Sequence, residues 1–218
     1  LLGLFSHEHF HAWNVKRIKP AAFTPYDLSQ AALTSLLWAF EGVTSYYDDL
    51  TLVRSGVVPV ERYLAQLART LTAVQRGSGR HKQTLAESSL DAWTKYYQQN
   101  ENSPNAIVSY YQKGALAALA LDLKIRQDSH GARSLDDVMR ALWRRWRDTG
   151  AGIGETEWER IAQQATGLDL GAFFDQAIRS TADLPLQALL QDAGVSVAWR
   201  AAQSGADKGG APLPTASD

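Results

Sequence analysis

His7, Glu8 and His11 stand in the stretch Ser6 to Asn14, SHEHFHAWN, and their spacing is the first feature of this chain that could do chemistry. On a helix of 3.6 residues per turn, His7 and His11 lie about 40° apart around the axis and about 6 Å apart along it, so both imidazoles can reach one ion. Glu8 is turned about 100° from His7, toward the side of His11, where a carboxylate faces a water rather than the metal. Those positions fit two ligands and a general base. A zinc ion held there would bring the pKa of a bound water to about 7 and polarise a carbonyl, with Glu8 moving the proton. His9 falls between the ligands and is expected to be a bystander.

A catalytic zinc site takes three protein ligands and keeps one position open. A metzincin would need Gly and His where this chain has Asn14 and Arg17, so the third ligand must come from elsewhere. The sequence contains no cysteine, which leaves His, Asp and Glu. Glu41 is the candidate, because it interrupts an apolar helical run, LTSLLWAFEGVTSYYDD, where an unpaired carboxylate would be costly. Farther on, NAIVSYYQKGALAALALDLKIR carries Tyr110 and Tyr111 at the head of an apolar stripe with small residues. Either hydroxyl could donate to an oxyanion, and periodicity does not choose between them.

The elements that must position these residues are helical nearly throughout, with apolar positions recurring every three and four residues. The pattern predicts helices over about 1–12, 27–50, 60–75, 89–99 and 105–126. Ser134 with Asp137 and Thr156 with Glu159 read as capping boxes of two more. Short helices follow from Asp169 and from Leu184 to Gly194, and Val195 to Trp199 reads as a lone strand.

The 22 Lys and Arg against 23 Asp and Glu, net charge -1, offer no basic face for nucleic acid. Arg144 to Arg147 reads as a solvated helix face. No apolar run approaches the roughly 20 residues that cross a bilayer, so no membrane span is expected. The chain starts without Met or the charged region of a signal peptide, and it reads as a piece of something longer whose compartment is undetermined.

Together, HEHFHAWNVKRIKP, LWAFEGVTSYYDDL, YYQKGALAALALDLKIR and, more loosely, TGLDLGAFFDQAI with LPLQALLQDAG resemble the glycyl aminopeptidases, gluzincin zinc metallopeptidases that usually carry a C-terminal PDZ domain. The resemblance implies a mostly α fold, the multi-helix C-terminal part of a thermolysin-like catalytic domain. It implies one zinc per chain on His7, His11 and Glu41, with Glu8 as the base. It favours Tyr111 as the oxyanion donor, although Gln112 stands where related enzymes have Glu. It implies a peptide substrate with N-terminal Gly or Ala, residues 1–200 as a catalytic subdomain lacking its upstream sheet, and residues 201–218 as a flexible linker toward a PDZ domain. Apolar surface left by the missing sheet would favour dimerisation. The rivals are an endopeptidase, a zinc hydrolase of another substrate such as an epoxide, and a silent peptide-binding scaffold.

Overall fold

The computed structural model describes residues 1–210, and among them it is a bundle of helices with no β-strand. At its centre lies α6 (Gln112–Asp128), whose Leu116, Leu121 and Ile125 are buried among alanines 117, 118 and 120. Small side chains let neighbours approach closely, and the closest approach is at Gly114. A π-helical turn, Trp38–Gly42, leads into α2 (Val43–Arg54), and a methyl group added at Gly42 would lie 2.6 Å from the Gly114 Cα. Two backbones therefore touch where the glycines meet, which brings the Glu41 segment against the start of α6.

The first helix, α1 (Leu2–Phe10), packs on α2 but buries none of its own residues completely. Leu1, Leu4 and Phe5 are exposed, an apolar side without a partner among the described residues. Beyond α3 (Val60–Arg76), which lays Leu67, Leu71 and Val74 on the core, come α4 (Leu85–Leu90) and the one-turn α5 (Ser103–Ala106). The capping box of α4, Thr84 with Glu87, was not anticipated from the sequence pattern. Four helices complete the bundle: α7 (Leu135–Thr149), α8 (Glu157–Thr166), α9 (Gly171–Ala177) and α10 (Leu186–Asp192). Trp38, Trp158 and Phe174 meet edge-on or tilted at 5.0 to 6.3 Å and join this half to the first. No helix among the described residues is long and apolar enough to cross a membrane.

Several element boundaries differ from the sequence expectation, each for a local reason. The helix expected from Asp27 starts only at Trp38, because the Asp27 carboxylate accepts hydrogen bonds from Ser29 and Gln30 and folds an Asx turn. The helix expected over 105–126 is broken, since Val108 N–H donates to Gln83 Oε1 at 3.1 Å and its carbonyl accepts from Ser88 Oγ at 2.6 Å. Ser134 and Asp137 form their capping box, whereas Thr156 does not: Glu157 instead accepts from Gly154 N–H and from Arg145. That contact also draws Arg145 out of the basic cluster.

Residues 195–199 make no strand, having no neighbouring strand to pair with, and they lie along α3. Of the expected linker, residues 201–210 follow the same path. Arg200 pairs with Asp207, and Gly209 sits against Thr72. Residues 211–218, the rest of that linker, lie outside the described residues.

Candidate metal centre

His7 is on the last full turn of α1, and His11 follows as its C-terminal cap, still helical at φ -60° and ψ -17°. Their rings stand 4.6 Å apart, nearly perpendicular. Glu41 arrives from the π-helical turn with its Oε2 3.2 Å from His7 Nε2 and 3.2 Å from His11 Nε2. Single π-helical turns recur at functional sites because the extra residue re-aims a side chain, and here that side chain is Glu41. Ligand atoms of all three residues lie within 4.8 Å of one another.

The far nitrogen of each ring is engaged as well. His7 Nδ1 is 2.9 Å from Asp48 Oδ2, and His11 Nδ1 is 2.9 Å from the Asn14 carbonyl. Both partners only accept, so each Nδ1 carries the proton and each Nε2 keeps a lone pair toward Glu41 once the rings are neutral. Asn14 does a second job: its amide donates to Ala39 O at 2.9 Å and to Thr44 Oγ1 at 3.1 Å. The turn after α1 is thereby fastened to the segment that carries Glu41.

Electrostatics of the metal-free cluster follow from this packing. Burial alone would pull the His7 imidazolium down, but hydrogen bonds to Asp48 and Glu41 outweigh it and carry the pKa up to about 9. His11 is raised as well, burial being outweighed mainly by Glu41. Glu41 itself is lowered, because the two histidines overcome the burial that would raise it. Protons thus occupy what a cation would claim, and metal uptake must displace them.

The other expected residues separate cleanly. Glu8, the residue after His7 on α1, is exposed and makes no hydrogen bond or ion pair among the described residues. His9 is exposed, with its ring edge-on to that of Trp13 at 5.2 Å between centroids. Tyr110 is 1% exposed, packed 4.8 Å from Tyr96 in the core. Tyr111, the residue before α6, is half-buried with its ring 6.2 Å from that of His7, and its hydroxyl is 3.2 Å from the Tyr97 hydroxyl. Sequence reasoning missed Asp48, Asn14 and Tyr97. Asp48 alone carried a signal, as an acidic residue about two turns after Glu41.

A helical bundle thus holds two histidines one turn apart and a carboxylate from a second segment around one point. The chain belongs to the M61 glycyl aminopeptidase family, whose model matches residues 1–117. That match includes His7, Glu8, His11, Glu41 and both tyrosines. Among solved structures, an aminopeptidase N family protein from Idiomarina loihiensis is similar at 44% identity and a TM-score of 0.94, covering 98% of this chain and 36% of its own. This chain therefore spans about a third of that protein's length. Comparison with curated proteins gives no match.

Proposed function

We propose that this chain is the metal-binding part of a zinc-dependent aminopeptidase that removes N-terminal Gly or Ala from peptides. The observation that carries the proposal is the convergence of His7 Nε2, His11 Nε2 and Glu41 Oε2, with both Nδ1 atoms held from behind. Two neutral imidazoles and one carboxylate are a donor set that fits catalytic zinc, and the rings are already oriented for it. When bound, zinc supplies a Lewis acid for the scissile carbonyl and makes water a nucleophile near neutral pH.

The chain's own residues do the rest. The Glu8 carboxylate, exposed on the residue that follows His7, takes the proton from the attacking water and passes it to the departing amine. The Tyr111 hydroxyl donates to the oxygen on which negative charge develops. Burial first, then the Tyr97 hydroxyl and the negative charge of Glu41, push the Tyr111 phenol well above its ordinary range, so it remains a donor at neutral pH. Asp48 and Asn14 hold the two rings in register. Preference for Gly is supported by the family, whose glycyl aminopeptidase model covers all the residues named, and Ala is included as the next smallest side chain.

In its longest native form the zinc-loaded protein is expected to hydrolyse glycyl and alanyl amides and to spare the same substrates with acetylated amines. Equal cleavage of blocked peptides would make it an endopeptidase, and cleavage of neither would remove the peptidase reading.

A further inference from the structure

Two residues beyond Tyr111, α6 carries a second polar side chain in an unusual position. Lys113 is 2% exposed, and its Nζ has no hydrogen-bond partner among the described residues. A buried ammonium without a partner is costly, and native interiors rarely keep one without a use. Lys113 lines a partly open cavity of about 200 Å³ between α3, α6 and α10, with walls from Leu71, Val74, Leu116 and Leu190. Gln75, Gln187 and Asp183 add polar atoms to the lining.

Asp183 does not neutralise the lysine. It pairs with Arg80, whose Nε lies 3.0 Å from its Oδ1, and no ion pair joins it to Lys113. Two cations and one carboxylate leave this end of the cavity with an excess of one positive charge. The rest of the lining is mostly apolar, which suits a ligand with a single negative charge and a hydrocarbon body rather than a phosphate dianion. A dry cavity of about 150 Å³ accepts benzene, so this one accommodates a body of about that size. Leu71, Leu190, Val197 and Trp199 also line a wider groove of about 780 Å³ along α3, so a longer molecule could lead outward from it.

We propose that this cavity binds a small apolar carboxylate, whose head accepts a hydrogen bond from Lys113 Nζ once the lysine side chain, whose stem lines the wall, turns its end inward, while the ligand's body packs against Leu71, Leu116 and Leu190. The site is separate from His7, His11 and Glu41, and no metal is involved. Burial lowers the pKa of the free Lys113, and a bound carboxylate would raise it. The carboxylate can come from a free acid or from the C-terminal residue of a peptide, because the groove leads away from the head.

Calorimetric titration of the metal-free chain tests this with four ligands: phenylacetate, phenylacetamide, N-acetyl-glycyl-phenylalanine and its C-terminal amide. At least one acid should bind ten or more times more tightly than its own amide, and the tighter acid identifies the source. In Lys113→Met, which keeps the volume and removes the charge, that acid should bind no better than its amide. Absence of binding by both acids, acids and amides binding alike, or unchanged acid binding in Lys113→Met would each overturn the proposal. The acid-to-amide comparison in the unaltered chain stands even if the variant folds poorly.

Discussion

The two faces of the α6 N-terminal region treat buried polar groups in opposite ways. Toward α1, each imidazole nitrogen at the metal centre has a partner, with Asp48 and Asn14 behind the rings and Glu41 in front. Toward α3, Lys113 Nζ has none among the described residues. The difference separates two kinds of site. At the first, protein groups determine ring orientation and tautomer before any ligand arrives, which is how a catalytic centre keeps its geometry. At the second, the protein leaves an unmet hydrogen-bond demand that a ligand can satisfy.

If the partnered face is the chemical one, damage there should cost rate and metal while leaving the other face intact. Glu8→Gln should lower kcat by roughly 10²- to 10⁴-fold with zinc content unchanged, because only proton transfer is removed. A rate equal to that of the parent would take Glu8 out of the mechanism. Tyr111→Phe should cost roughly 10²- to 10³-fold in kcat, the usual loss for one oxyanion donor. Tyr110→Phe, in the core, should cost much less, and equal losses would erase the distinction between the two rings. Asp48→Asn should weaken zinc binding by roughly 10- to 100-fold, as loss of a histidine's orienting carboxylate does. Competition with a chromophoric chelator measures it, and unchanged affinity would mean that Asp48 does not orient His7.

The pH dependence sharpens the contrast further. In the metal-free chain the His7 pKa is raised from 6.5 to about 9, so its protonated form stabilises the fold. That stabilisation is fully present below about 6.5, the unfolded value, and is lost as the pH rises through about 9. The Tm advantage of chelator-treated parent over His7→Gln should shrink across this window, and an advantage that grows with pH would contradict the assignment. The smallest effect is expected on the other face. Lys113→Met should leave the Tm unchanged or raised, since it removes a buried charge that has no partner. A fall of several degrees would show that Lys113 has a structural partner after all.

Much of the metal centre was legible because helix geometry alone aligns His7 with His11, and because a carboxylate in an apolar run demands a partner. Glu41 was found by that second argument. Asp48 was not, because it acts behind the ring of His7 rather than at the metal, through a tertiary contact with Nδ1 that helical phase alone does not show. Asn14 was noticed only as the residue that excludes a metzincin; its bridging role depends on a tertiary contact with Ala39 and Thr44. The choice of Tyr111 over Tyr110 needed the non-helical break at residues 107–109 and the turn that follows it, which put one ring in the core and the other beside His7. Element limits failed where side chains captured backbone groups, as at Asp27 and Val108, and the strand expected at Val195 failed for want of a neighbour. Lys113 gave no signal of its own in sequence, since a lysine within an alanine-rich helix usually reads as exposed.

The central claim is that His7, His11 and Glu41 form one zinc site in this chain. Zinc titrated into the metal-free chain, followed by dialysis, elemental analysis and anomalous scattering from crystals, tests it directly. The account predicts one retained zinc per chain, contacted by His7 Nε2, His11 Nε2 and Glu41, and none in His11→Ala; zinc bound elsewhere, no retained zinc, or equal retention by His11→Ala would contradict it.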